Sequence, residues 1–203
     1  MLFLTLFLGL CAALGSLVRA DDKYLPSSVN DVDGRFVFAH FIVGNTYPYT
    51  KADWVADIIA AQNLGIDGFA LDLGTDSWEA GEIALAFSAA HGTGFKLFLS
   101  FDMSTPLTDT DIVNYVKTYA SDPNYYYYKG KPFVSTFAGE TLTFGEATVN
   151  AGWQHKVKDV LKNTYSIDIW FVPSWTGLDA NNIFTNYPVL DGMFSWAAWY
   201  ILT

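Results

Sequence analysis

Cysteine is almost absent: Cys11 is the only one in 203 residues. A single thiol excludes a disulfide framework and any multi-cysteine metal site. Positive charge is scarce as well, with 11 basic residues against 21 acidic ones and a net charge of −10. Such a balance repels phosphate and argues against a nucleic-acid partner. Charged residues make up only 16% of the chain, and no Asn-x-Ser/Thr sequon, linker or low-complexity tract interrupts it. What is present is apolar, at 51%, with 17% aromatic residues. That is enough to build a core, which a disordered or collagen-like chain cannot do.

The most apolar stretch comes first. Leu2 to Leu10 is hydrophobic apart from Thr5 and Gly9, and the run closes on Val18-Arg19-Ala20 before Asp21-Asp22. It falls short of the roughly 20 residues that span a bilayer. Small residues three and one before a cleavage point mark a secretory signal peptide over residues 1–20, cut after Ala20. Its removal takes away Cys11 and Arg19, so residues 21–203 carry a charge of −11, from 10 basic and 21 acidic residues. The expectation is a secreted, extracellular protein, monomeric, with no membrane contact after cleavage.

Beyond Arg35, apolar runs of strand length recur at Phe36–Val43, Ile66–Leu73, Phe95–Phe101, Pro132–Phe137, Ile167–Pro173 and Leu190–Trp196. Several are apolar on both faces, the habit of strands in a covered parallel sheet. Helical spacing fills the gaps. Thr50 is placed to cap a helix over Lys51–Leu64 with Asp53 as its partner, Ser77 to cap a second and Thr108 a third. Gly145–Asn163 reads as a fourth helix, weakened by Gly152, and Asp179–Phe184 as a short fifth. Strict alternation implies an α/β fold with right-handed crossovers. A doubly wound sheet would advertise a glycine-rich phosphate loop after its first strand, and Val43-Gly44-Asn45-Thr46-Tyr47-Pro48-Tyr49 is not one. A (β/α)8 barrel gathers its site on the loops after every strand, and these loops carry the polar and aromatic residues. The expected fold is therefore a TIM-barrel-like (β/α)8 domain over residues 21–203, incomplete at about six of eight strand-helix units. The tetrad Tyr125-Tyr126-Tyr127-Tyr128 is expected to cover the outer surface beside the fourth strand.

Residues at the C-terminal ends of barrel strands share one pocket. In chain order they are His40, Asp72, Asp102 and Glu140, then Trp175, Trp196 and Trp199. Singly, each has an ordinary structural explanation: a core histidine, or an acid capping the next turn. Two successive apolar strands ending in a carboxylate are harder to explain by packing, because an unpaired buried charge is costly. Carboxylates beside tryptophans suit a sugar. Aromatic faces cover the C–H faces of pyranose rings, carboxylates accept from hydroxyls, and a carboxyl pair can cleave a glycosidic bond. The alternatives fit less well: there is no G-x-S-x-G elbow, and His40, His91 and His155 lack metal-ligand spacing.

The segments Phe36-Val37-Phe38-Ala39-His40-Phe41-Ile42-Val43, Gly65-Ile66-Asp67-Gly68-Phe69-Ala70-Leu71-Asp72, Lys96-Leu97-Phe98-Leu99-Ser100-Phe101-Asp102-Met103, Lys131 to Glu140, Phe171-Val172-Pro173-Ser174-Trp175 and Asp191-Gly192-Met193-Phe194-Ser195-Trp196 together resemble glycoside hydrolase family 71, the fungal α-1,3-glucanases or mutanases. The resemblance runs from Arg35 to Trp199. It implies a secreted enzyme that hydrolyses α-1,3-glucan of the fungal cell wall with inversion, using no metal and no cofactor. The family's acid and base sit on a Trp-Asn-Asp-Tyr-Gly-Glu-like motif that residues 1–203 do not contain. The catalytic pair is accordingly expected beyond Thr203. His40, Asp72, Asp102, Glu140, Trp175, Trp196 and Trp199 are left with substrate-binding or pocket-shaping roles. A truncated, non-catalytic α-glucan-binding protein is the alternative. A third reading, in which Asp72 with Asp102 or Glu140 supplies acid and base, is disfavoured.

Overall fold

The computed structural model describes residues 35–175, 177–179 and 181–196. The N-terminal segment assigned to a signal peptide and Trp199 lie outside these described residues.

Five parallel strands form one sheet: β1 (Phe38–Ile42), β2 (Gly68–Leu73), β3 (Lys96–Asp102), β5 (Lys131–Phe137) and β6 (Trp170–Phe171). A two-residue strand, β4 (Tyr127–Tyr128), pairs antiparallel with β5 through the turn Lys129-Gly130. Both turn residues have positive φ, 49° and 76°, the twist that a two-residue hairpin prefers. Helices α1 (Lys51–Asn63), α2 (Glu79–Ala90) and α3 (Asp109–Tyr119) link the strands. The next crossover begins as α4 (Val149–Gly152), widens to a π-helical stretch over Trp153–Lys158, and continues as α5 (Asp159–Tyr165). A short α6 (Ile183–Asn186) follows β6.

The expected helix starts divide by chemistry. Asp53 Oδ2 accepts from both Thr50 N and Oγ1, at 2.8 and 2.7 Å. Thr108 and Asp111 exchange reciprocal bonds. Ser77, by contrast, does not cap α2, which begins at Glu79 behind Trp78. Glu79 has turned back to serve the preceding loop instead. Gly152 weakens its helix by propensity, yet a Cβ there would sit 2.3 Å from Thr143 O. The glycine lets the π-widened turn approach that backbone.

The two faces of the sheet differ. Phe41 and Phe69 point outward onto Trp54 of α1 and onto Phe95. On the opposite face, Phe36, Phe38, Phe98, Tyr126 and Phe133 form an aromatic cluster below the strand ends. The tyrosine tetrad therefore divides, against expectation. Tyr126 enters this inner cluster, while Tyr125 is buried against Phe87 and donates to Phe133 O.

Leu190–Trp196 is not a regular strand. It lies along β6 through Asp191 N and Gly192 N to Phe171 O and Phe194 N to Pro173 O. These bonds occupy the place of a sixth parallel strand without forming its ladder.

Candidate active site

Parallel register brings the strand-end side chains to one level. Ile42, Asp72 and Ser100 are neighbours across β1, β2 and β3, and Asp102 is the neighbour of Phe137 on β5. Because side chains alternate along a strand, His40, Ala70, Asp72, Ser100, Asp102, Ser135 and Phe137 share the inner face.

Asp72 is buried, and Ser100 Oγ donates to its Oδ1 at 3.3 Å. Burial, then the charges of Asp102 and Glu79, push its carboxyl up to about 7, against the serine hydrogen bond. The group is therefore partly protonated near neutrality and can donate a hydrogen bond as well as accept one. Asp102 is committed differently. Its Oδ1 accepts from Ser104 N at 2.9 Å and Ser104 Oγ at 2.6 Å, an Asx turn that shapes the loop after β3. The turn-capping role thus applies to Asp102 and not to Asp72.

His40 stands open on one side and is covered on the other by Trp196, at 3.9 Å between ring centroids, and Phe194, at 5.2 Å. This partial desolvation lowers its pKa and favours the neutral ring. Trp196 also meets Phe137 edge-on at 5.0 Å. The structure therefore joins His40, Phe137, Phe194 and Trp196 into one aromatic wall.

Trp175 occupies another place. It is 0% exposed and packed by Trp153, Phe171 and Tyr187. It packs behind the strand ends and presents no open face on which a sugar could stack. Glu140 lies at the corner after β5, where Ala138 and Gly139 take positive φ. Its Oε1 is close enough to Gly177 to meet a Cβ placed there at 3.2 Å. Three buried atoms at these strand ends find no hydrogen-bond partner among the described residues: Glu140 Oε2, Trp175 Nε1 and Trp196 Nε1.

Two further buried acids stand in the first turn of α2. Glu82 accepts from Trp54 Nε1 at 2.9 Å. Glu79 is 3% exposed and accepts from Gly74 N at 2.8 Å. Burial raises its pKa above the ordinary value, with that hydrogen bond opposing. Their positions, in the first turn of an apolar helix, carry no signal that distinguishes them from solvent-facing acids. His91 and His155 lie away from the site and pair with Asp122 and Glu146. Among the described residues no three His, Cys, Asp or Glu side chains gather as a group that could hold a metal ion.

The sequence profile of glycosyl hydrolase family 71 matches residues 33–201. The chain belongs to glycosyl hydrolase family 71. It is 49% identical over 168 residues to the glucan endo-1,3-alpha-glucosidase of Schizosaccharomyces pombe, covering 81% of this chain and 39% of that protein. The ascus wall endo-1,3-alpha-glucanase of the same organism is 37% identical, over 86% of this chain and 41% of that one. A mutanase of Penicillium rubens is 36% identical, over 88% and 37% respectively. The chain thus spans about two fifths of the length of these curated relatives. In fold it resembles a GH99 endo-alpha-mannosidase from Bacteroides thetaiotaomicron, with a TM-score of 0.61 at 15% identity over 82% of this chain and 60% of that one. This likeness supports an incomplete (β/α)8 barrel. Two of these relatives are named for endo-1,3-alpha-glucan cleavage, and the third as a mutanase.

Proposed function

We propose that this chain is the substrate-binding portion of a secreted α-1,3-glucan hydrolase of the glucan endo-1,3-α-glucosidase type, acting by inversion on cell-wall glucan. The observation that carries the reading is the aromatic wall of His40, Phe137, Phe194 and Trp196 standing on the same inner face as the carboxyls of Asp72 and Asp102. A sugar hydroxyl both donates and accepts, so a carboxyl in either protonation state suits one. Asp72, partly protonated near neutrality, adds a group that can donate to a sugar oxygen. The aromatic wall of His40 and Trp196 supplies apolar cover for pyranose C–H groups. The family's Trp-Asn-Asp-Tyr-Gly-Glu-like motif is absent from residues 1–203, so the roles assigned here are binding and orientation, with cleavage assigned to the whole protein.

Co-sedimentation with insoluble α-1,3-glucan tests this. The purified chain is expected in the pellet, and Glu140→Ala and His40→Ala variants are expected to shift toward the supernatant. A folded chain that stays wholly in the supernatant would refute the reading.

A further inference from the structure

The π-helical stretch Trp153–Lys158 grips the chain beside it at both of its ends. Trp153 stacks on the ring of Phe171 in β6, at 4.7 Å between centroids. Its Nε1 donates to Gly139 O at 3.2 Å, at the corner that carries Glu140. Lys158, one π-turn further on, donates through Nζ to Val189 O at 3.0 Å and to Asp191 Oδ2 at 2.7 Å. The same Asp191 oxygen accepts from Phe171 N at 2.9 Å. The two ion-paired side chains are only 15% and 21% exposed. An ion pair so far out of water is weakly screened, and removal of one partner leaves the other uncompensated. The widening serves this arrangement. A π-helix brings residues five apart into line, whereas an α-helix of 3.6 residues per turn carries them to different sides.

Asp191 opens the segment that ends at Trp196. That segment holds to β6 and the residues after it by isolated bonds: Asp191 N and Gly192 N to Phe171 O, Phe194 N to Pro173 O, and Trp196 N to Ser174 Oγ at 3.3 Å. Gly192 runs so close that a Cβ there would stand 3.0 Å from Val172 Cγ2. Without a regular ladder, side-chain anchors must set the register. A slip of one residue along an extended chain turns every side chain to the opposite face. Here the side chains at stake are Phe194 and Trp196, which lie against His40 of β1 at 5.2 and 3.9 Å.

We propose that Lys158 and Asp191 are positioning residues, whose ion pair fixes the register of residues 191–196 and so seats Phe194 and Trp196 against His40. Both act through the two rings. The consequence for sugar binding rests on the α-glucan reading above, whereas the seating of the rings does not.

Nuclear magnetic resonance of the His40 ring tests the proposal on the wild-type chain, Lys158→Met and Lys158→Arg, with His40→Ala to assign the signals. In the wild type the His40 ring protons are expected upfield, shifted by the Trp196 ring, and the imidazole should titrate below the ordinary histidine value. Lys158→Met keeps the length of the side chain and removes its charge. It is expected to lose most of the upfield shift and to return the titration toward the ordinary value. Lys158→Arg keeps the charge and should retain both signatures. Affinity for a linear α-1,3-gluco-oligosaccharide is expected to fall roughly three- to tenfold in Lys158→Met and by less than about twofold in Lys158→Arg. A general loss of stability would leave the His40 signals of the folded protein in place, so wild-type signals in folded Lys158→Met would overturn the proposal. If Lys158→Met does not fold, Asp191→Asn, which keeps an acceptor for Phe171 N, is read by the same signals with the same two outcomes. A wild-type chain that binds no α-glucan would overturn the α-glucan reading, and the His40 signals would still decide the register.

Discussion

Ser100 on β3 donates its hydroxyl to Asp72 on β2 across the parallel sheet, at 3.3 Å, between residues that are direct neighbours in the register. The bond lowers the carboxyl pKa but does not overcome burial and the charge of Asp102, and the acid titrates at about 7.

A stability profile follows from that balance. The folded carboxyl titrates at about 7 against a reference of 3.8. Its contribution is therefore fully present below the unfolded value and is lost as pH rises through the folded one. Unfolding free energy from urea denaturation is expected to decline between about pH 4 and pH 7, by at most about 4 kcal/mol from this group. Asp72→Asn should flatten the decline and raise stability at pH 8. Parallel wild-type and variant profiles would show that Asp72 titrates normally.

The Trp54–Glu82 bond makes a second case. Both groups are buried, and the indole N–H has the Glu82 carboxylate as its acceptor. Glu82→Ala strands that donor and is expected to cost about 1–3 kcal/mol. Glu82→Gln keeps an acceptor and should recover most of the loss. Equal urea midpoints for the two variants would count against a specific bond.

Two glycines should respond in opposite ways to alanine. At Gly68 a Cβ would fall 2.3 Å from Lys96 O on the adjoining strand, so Gly68→Ala should disrupt the β2–β3 ladder and abolish soluble expression. Gly81 sits in the exposed first turns of α2 with nothing within 4 Å of its Cβ position. Gly81→Ala is expected to add about 0.5–1 kcal/mol, since alanine is the better helix former. Thermal denaturation separates the two outcomes.

The strand and helix order was legible because apolar runs and capping residues are local signals. Thr50 with Asp53 and Thr108 with Asp111 announce their helices within four residues. The polar identity of the strand ends was also legible, since Asp72 and Asp102 interrupt apolar runs. Exposure was not. Trp175 looks able to carry a sugar in sequence, yet it is sealed behind Trp153 and Phe171. Glu79 escaped notice because its role depends on the backbone of Gly74, five residues earlier, which no periodicity reveals. Leu190–Trp196 reads as a strand from its composition, but it follows β6 with isolated bonds and no regular ladder.

The aromatic wall gives a prediction about pH. His40 is covered on one face by Trp196 and its pKa is lowered. The ring is therefore neutral across the neutral range and should stack on a sugar without adding charge. Oligosaccharide affinity is expected to be insensitive to His40 between pH 7 and 8, so His40→Ala should weaken binding by the same factor at both. A factor that changes between these pH values would assign His40 a charged role.

Recognition of an α-1,3-linked glucan by the strand-end site can be measured on its own. Its most direct measurement is the affinity of the purified chain for two linear oligosaccharides of equal length, one α-1,3-linked and one β-1,3-linked. A site shaped for the α linkage should prefer the first by at least about tenfold, a difference of roughly 1.4 kcal/mol, and Glu140→Ala should erase most of that preference. Equal affinity for the two, or a preference for the β-linked chain, would rule out a site built for the α linkage.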